Sequence, residues 1–294
     1  MISYFDQNIW SAITSPAFAV QRKEIEHLVQ TGKLIIPISP IVLEETQKMG
    51  DLRSRNERAK IISSLCNDQY FPTPFYIRDL EIFEYFKTGH IGNISRSQLI
   101  FPHPFGGRSF YFGGTDNGSM SVEQALDLID SKGWNYQASN FQEDSLKQFE
   151  REVIEIGNRP PQQKVRLCKE RLIKKLIAGQ NSPVKSISRL LQKSEKEVIE
   201  LIKNLNLEKF PASMCYVYGE IFYCGAVNAK PDKRFNLADF EQLQFLPYLD
   251  FYISEDRQLT DMAQKVVRKL GLKVTVTSDL SVITRAVRIP RLNH

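Results

Sequence analysis

The sequence predicts an α/β protein, with a parallel sheet and a long, mainly helical middle section. Three observations predict it. The first fifty residues alternate strand, helix, strand, helix, the pattern of parallel pairing through right-handed crossovers. The stretch Asp239 to Asp256, D-F-E-Q-L-Q-F-L-P-Y-L-D-F-Y-I-S-E-D, passes from an amphipathic helix into a short apolar strand. Between these ends the pattern is helical and partly basic.

The bulk numbers fit this class. The chain has 294 residues, 42% hydrophobic and 25% charged, enough for a real core. The net charge of +5 is compatible with a polyanionic partner without requiring one. The N-terminal M-I-S-Y-F-D lacks a basic region and an apolar run, so no signal peptide is expected, and no stretch is apolar enough for a membrane span. Cys66, Cys168, Cys215 and Cys224 form no C-x-x-C pair, and the four histidines are scattered. Zinc and a disulfide framework are therefore not expected, and reduced thiols in a cytoplasmic protein are.

Ile2 to Phe5 reads as a strand that stops at Asp6. Asn8 suits an N-cap, and Ile9, Trp10, Ile13, Phe18, Ile25 and Leu28 supply the apolar side of the helical segment after it, with a break at Pro16. Thr31-Gly32 closes that helix. Leu34 to Ile38 is the next strand. Ser39-Pro40 then opens a helix carrying Glu44 and Glu45, with serine as N-cap and proline at the first helical position. Near the other end, Phe240, Leu243 and Leu246 recur at helical spacing and place Asp239 at a helix start, with Pro247 as its stop. Leu249 to Ile253 is a strand and Ser254-Glu255-Asp256 the turn at its carboxyl end. Leu259, Met262, Val266 and Leu270 form a helical stripe closed by Gly271. Lys273 to Val276 is a last strand, and Ser278 caps a final helix through Ala286, followed by a basic tail of Arg285, Arg288 and Arg291. Asp6, the paired glutamates and Asp256 thus fall on the carboxyl edge, where open α/β sheets bind ligands.

F-D-Q-N-I-W after the first strand, I-P-I-S-P-I-V-L-E-E after the second and the Asp239 to Asp256 stretch resemble the PIN domain family of metal-dependent nucleases, mostly ribonucleases. The matched pieces cover roughly the first and last quarters of the chain. The resemblance implies a three-layer α/β/α, Rossmann-like parallel sheet. It implies a discontinuous nuclease domain, 1–75 with 230–294; between them, 76–229 departs from the compact family domain and reads as a mainly helical insertion whose basic helices are candidate nucleic-acid contacts. By position it implies four acids: Asp6 as bridging ligand, Asp239 and Asp256 completing the metal shell, and Glu45 as a ligand directly or through water. Glu44 competes with Glu45 by one position. Ser254 stands where the family often has Ser or Thr.

Clustered carboxylates repel one another unless a cation sits among them, and hard oxygen ligands select Mg²⁺ or Mn²⁺. The expected activity is hydrolysis of phosphodiester bonds in single-stranded RNA, as in a toxin or defence effector. Asn8, Ser254, Arg257, Lys233 and Arg234 are candidate substrate contacts, and an antitoxin or other protein partner and a homo-oligomer are compatible with the family. Asp250 begins the strand that Asp256 follows and is read as structural; Glu255 alternates away from Asp256 and is read as peripheral.

In the middle, Phe101 to Gly118 is a loop by composition, whose Phe105, Phe110, Tyr111, Phe112 and Arg108 either stack on bases or pack onto the body. Ser121 with Gln124, and Ser139 with Gln142, form capping boxes, the second opening a helix through Ile156. Lys164, Arg166, Lys169, Arg171, Lys174 and Lys175 crowd one helix. The next segment, to Asn206, has helix-turn-helix rhythm, with Ser194 capping the second helix. These basic residues either attract phosphates or face water. Phe210 to Val227 is apolar enough for core.

The alternative of another class is a PIN-like scaffold that binds RNA or a protein without catalysis, and a missing acid would mark it. A haloacid-dehalogenase-type phosphatase needs an acid two residues after its first Asp, where Asn8 stands, and no phosphate-cradling G-x-x-x-x-G-K-[ST] loop is present.

Overall fold

The computed structural model describes residues 1–91, 94–104, 106–107, 118–132, 151–178, 182–229 and 240–288. At its centre is a parallel three-stranded sheet, β1 (Ser3–Phe5), β2 (Phe251–Ile253) and β3 (Thr275–Thr277), in that order. Tyr4 sits opposite Tyr252, and Tyr252 opposite Val276. Single bridges extend the sheet on the other side of β1: Ile2 pairs with Ile35 and Ile38 with Tyr70, both parallel, and Tyr70 pairs with Phe101 antiparallel. The expected strand Leu34 to Ile38 is reduced to these two bridges. Pro37 explains it, because it has no N–H to give the ladder.

Side chains alternate across the strands, so each face of the sheet owns a separate apolar cluster. Tyr4 and Tyr252 point to one, Phe5, Phe251 and Ile253 to the other. On the first face Tyr4 stacks on Tyr252, Phe245 and Phe71, with ring centroids 5.0, 5.7 and 5.9 Å away. Such pairs add about 0.5–1.5 kcal/mol each beyond their buried area. On the second face lie helices α1 (Gln7–Ile13), α2 (Ala19–Gln30), α3 (Pro40–Gln47), α4 (Leu52–Cys66), α6 (Val122–Lys132) and α12 (Ser281–Arg288). Ile9, Trp10, Ile13, Ile25, Ile62, Leu126 and Ile283 form that core.

The first face is covered by α5 (Pro74–Thr88), α7 (Pro161–Ala178), α8 (Val184–Leu191), α9 (Glu195–Lys203), α10 (Pro211–Ala229) and α11 (Arg257–Leu270). Residues of the middle section, among them Leu172, Ile187, Val198 and Tyr216, share one cluster with Tyr4 and Tyr252. The described part of the middle section is mainly helical; most of it covers this face of the sheet, while α6 packs on the other. The Ser121/Gln124 capping box is present: Gln124 Oε1 accepts from Ser121 N–H at 2.9 Å. Ser194 caps α9 with Glu197, and α8 turns into it through Gln192 at φ 52°. The Ser139/Gln142 box lies outside the described residues, as do Phe105, Arg108 and the Phe110–Phe112 aromatics.

Three boundaries differ from expectation. Asp6, not Asn8, occupies the N-cap position of α1, and Asn8 is an exposed residue inside that helix. Asp279, not Ser278, receives the Ser281 N–H at the start of α12, at 2.8 Å. Gln242–Tyr248 is a 3-10 helix that runs through Pro247 rather than stopping there.

Gly106 and Gly107 hold the antiparallel edge. A Cβ at Gly106 would overlap the Phe101 ring, and Gly107 sits at φ +82° with the Tyr76 ring 2.8 Å from where a Cβ would be. Gly106→Ala is expected to cost about 1–3 kcal/mol by overpacking, read as a lower urea midpoint. An unchanged midpoint would show that Phe101 yields freely.

Candidate active site

The carboxyl ends of β1 and β2 bring two acids and a serine together. Asp6 continues β1, its N–H donating to the Ile253 carbonyl at 3.0 Å. Its carbonyl then accepts from Ile9 and Trp10, starting α1, yet its carboxylate makes no capping hydrogen bond to that helix. Instead Ser254 Oγ donates to Asp6 Oδ2 at 3.0 Å. The same Ser254 oxygen accepts the Asp256 N–H at 3.1 Å. One buried hydroxyl therefore fixes the acid after β1 to the turn after β2. Thr260 Oγ1 donates to the Ser254 carbonyl at 2.9 Å and steadies the turn. Sequence reasoning passed over Thr260, although it lies one helical turn from Asp256.

Asp6 is 7% exposed and makes no ion pair among the described residues. Burial pushes its carboxyl above the ordinary range; the Gln7 N–H and the Ser254 hydroxyl pull it back, and the charge of Asp256 pushes it up again. Glu45, in α3, is pushed up to about 7, first by burial and then by the charge of Asp6, with Lys48 opposing. Asp6 thus feels the charge of Asp256, and Glu45 feels the charge of Asp6. The paired glutamates part company here. Glu44 is 2% exposed and ion-paired to Lys48 at 2.6 Å, whereas Glu45 is the glutamate whose carboxyl feels Asp6.

Asp256 has a second occupation: its Oδ1 accepts from the Gln258 and Leu259 N–H groups at 2.7 and 3.0 Å, capping α11. Asp239, Lys233 and Arg234 lie outside the described residues. Phe240, the next residue after Asp239, is buried against Tyr216 and Tyr223, with centroids 5.2 and 5.1 Å away. Among the described residues, no three His, Cys, Asp or Glu side chains come close enough together to hold a metal ion. Asp250 is at the opposite end of β2, its carboxylate accepting the Ile2 N–H at 2.7 Å, the structural role expected for it.

Beyond Ser254 the edge opens into a cleft of about 460 Å³, lined by Ser254, Glu255, Arg257, Thr260, Asp261, Gln264 and Ser278. Glu255, expected to be peripheral, is part of its wall.

The basic helix is less free than its sequence indicates. Lys169 pairs with Glu208 at 2.8 Å, Arg166 with Glu170 at 3.6 Å, and Arg171 with Glu152 and Glu220 at 2.9 and 3.4 Å. Lys164 Nζ donates to the Gly157 carbonyl at 2.8 Å, and Lys175 Nζ to the Tyr216 hydroxyl at 2.5 Å. Of the six, Lys174 is exposed with no ion pair among the described residues. The second helix of the helix-turn-helix shows Glu195, Glu197 and Glu200 to solvent beside Lys196 and Lys203, an acidic balance unsuited to a groove-reading helix.

Comparison with family models, with curated proteins and with solved structures gives no match to this chain. The architecture defines an α/β protein with a parallel sheet, and no helix among the described residues is long and apolar enough to cross a membrane.

The serine bridge is testable by itself. Ser254→Ala strips Asp6 Oδ2 and the Asp256 N–H of a buried partner and is expected to lower unfolding free energy by about 1–3 kcal/mol, read by urea denaturation. Ser254→Thr, which keeps the hydroxyl, is expected to recover most of the loss; equal losses in both variants would show that packing, not the bridge, is at stake.

Proposed function

We propose that this protein is a PIN-like, Mg²⁺- or Mn²⁺-dependent endoribonuclease that hydrolyses single-stranded RNA. The observation that carries the reading is the Asp6–Ser254–Asp256 linkage at the carboxyl edge of a parallel sheet, with Glu45 near enough to feel the charge of the same acid. The sheet order adds support. Crossing from Tyr70 through Ile38 and Ile35 to β1, β2 and β3, the parallel segments run third, second, first, fourth, fifth along the chain. A parallel sheet that switches direction beside its first strand forms its ligand crevice there, next to Asp6.

The chemistry of these acids suits a hard divalent cation, with Asp239, the one further acid the resemblance implies, outside the described residues. Asp6 is a buried carboxylate, uncommitted to helix capping and repelled by its acidic neighbours, a combination a cation relieves. Asp6, Glu45, Asp256 and Asp239 would hold it. When bound, the metal would lower the pKa of a water and stabilise the charge on a leaving 3′ oxygen, so that hydrolysis leaves a 5′-phosphate. Ser254 keeps Asp6 in one orientation, and α11 keeps Asp256 in place through its two capping bonds. Arg257 stands beside Asp256 as a cation for a phosphate oxygen. Lys233, Arg234 and Asn8 remain candidate contacts to the strand.

The test is incubation of the purified protein with labelled single-stranded RNA and DNA, with Mn²⁺ or with EDTA. Mn²⁺-dependent cleavage of RNA is expected. Cleavage that survives EDTA, or none with any metal, overturns the reading. A second reading is a PIN-like scaffold that binds RNA or a protein partner without catalysis; all four acids the resemblance implies are present in the sequence, which weighs against it. RNA binding without turnover would support it.

A further inference from the structure

The lining of the cleft beside the acids includes none of the four residues that would hold the metal. It begins at Ser254, whose hydroxyl is already bonded to Asp6, and ends at Ser278, just past β3. It therefore continues the carboxyl edge of the sheet away from Asp6, toward β3. At about 460 Å³ it falls within the ~300–1,000 Å³ of small-ligand clefts. Its lining is polar: hydroxyls at Thr260 and Ser278, an amide at Gln264, a carboxylate at Glu255 and a guanidinium at Arg257. Arg257 is exposed and makes no ion pair or hydrogen bond among the described residues. The other acid, Asp261, is neutralised by Lys265 at 2.6 Å. With one free cation, one free carboxylate and no apolar wall residue among the described residues, the cleft suits a sugar-phosphate better than an apolar group.

We propose that this cleft holds the ribonucleotide next to the scissile phosphate. Arg257 takes its flanking phosphate, and Glu255 and Ser278 take its ribose hydroxyls. The inference rests on the nuclease reading, and it assigns the β3 side of the acids as the path of the RNA strand. A carboxylate acceptor for a 2′-hydroxyl also gives the site a means of favouring RNA over DNA.

Full-length protein carrying Asp6→Asn is titrated in EDTA against fluorescein-labelled oligouridylate and its deoxy counterpart, read by anisotropy. Arg257→Ala is expected to weaken RNA binding by about tenfold or more, as loss of a charge-assisted contact does. Ser278→Leu, which fills the cleft, is expected to weaken it as well. Lys174→Ala, an exposed cation elsewhere, is expected to change it little. Glu255→Ala is expected to narrow the gap between RNA and DNA. Arg257, Ser278 and Glu255 lie at the surface, so thermal unfolding should be unaltered, and in otherwise wild-type protein Arg257→Ala should raise KM more than it lowers kcat. Mn²⁺-dependent RNA cleavage with binding and KM untouched by Arg257→Ala and Ser278→Leu overturns the cleft and leaves the nuclease reading standing. An equal loss from Lys174→Ala also overturns it, because the attraction would then be diffuse. If the protein neither binds nor cleaves RNA, both inferences fall together.

Discussion

Asp6→Asn is expected to reduce Mn²⁺-dependent RNA cleavage about a thousandfold or more while leaving the protein folded and at least as stable. The two halves of this result have one cause. Under the proposed mechanism a cation at the carboxyl edge would supply several kcal/mol of transition-state stabilisation, and at about 1.4 kcal/mol per tenfold in rate losing the ligand proposed to bridge it would remove about three orders of magnitude. The same carboxylate is costly in the metal-free fold. Burial pushes its pKa above the ordinary value, so the ionised form opposes folding once the pH passes the ordinary carboxylate range. The asparagine keeps an oxygen for the Ser254 hydroxyl and carries no charge to desolvate. Unfolding midpoints in EDTA near neutral pH should therefore hold or rise. Cleavage within tenfold of wild type would remove Asp6 from the site. Equal activity loss with a collapsed midpoint would make it a structural residue. Sites of this kind give up stability for chemistry, and the variant should show that exchange directly.

Much of this edge was legible because the signals are local. Ser39-Pro40 announces α3, Ser194 announces α9, and Gly271, at φ +63°, ends α11 where expected. Asp6 was legible as the residue that ends β1, but its failure to cap α1 was not, because the competing Ser254 hydroxyl is 248 positions away. Asn8 looked like the cap on composition alone; the chain turns two residues earlier, as soon as Asp6 leaves the ladder. The strand at Leu34 to Ile38 was overdrawn by counting apolar residues without charging Pro37 for its missing donor. The basic run at Lys164 to Lys175 misled for another reason. Its partners Glu208, Glu152 and Glu220 come from neighbouring elements, and a one-dimensional reading counts the cations without them. The cleft was illegible too, since Thr260, Gln264 and Ser278 are common surface residues that acquire meaning when α11 and the end of β3 are set side by side.

The layer over the first face depends on an acid that no local pattern marks, and Glu81→Ala is expected to cost about 2–5 kcal/mol, the range for leaving two hydrogen-bond donors without their partner. Glu81 is fully buried in α5. Its Oε1 and Oε2 accept the Ala212 N–H at 2.9 and 3.1 Å, in the first turn of α10, where the helix dipole favours an anion. Its Oε1 also accepts from the Tyr248 hydroxyl at 2.6 Å, at the end of the 3-10 helix that leads into β2. One side chain thus ties α5 to α10 and to the approach of the candidate site. Truncation leaves the Ala212 N–H and the Tyr248 hydroxyl buried without it. The pH dependence has a definite sign. Burial pushes Glu81 up to about 7 from an ordinary 4.5, so the folded state retains a proton the unfolded chain has already lost. Its contribution to stability is then most favourable below about 4.5, and it declines as the pH rises through about 7. Glu45 titrates in the same window, so the wild-type slope alone does not isolate Glu81. The difference between Glu81→Gln and wild type does: the variant should match wild type near pH 5 and gain on it by pH 8, measured as urea midpoints at both. A Glu81→Ala loss under about 1 kcal/mol would show that Glu81 does not hold this layer together, and a Gln variant that falls behind as the pH rises would mean that the ionised carboxylate, held by the Ala212 N–H and the Tyr248 hydroxyl, is the form the fold prefers.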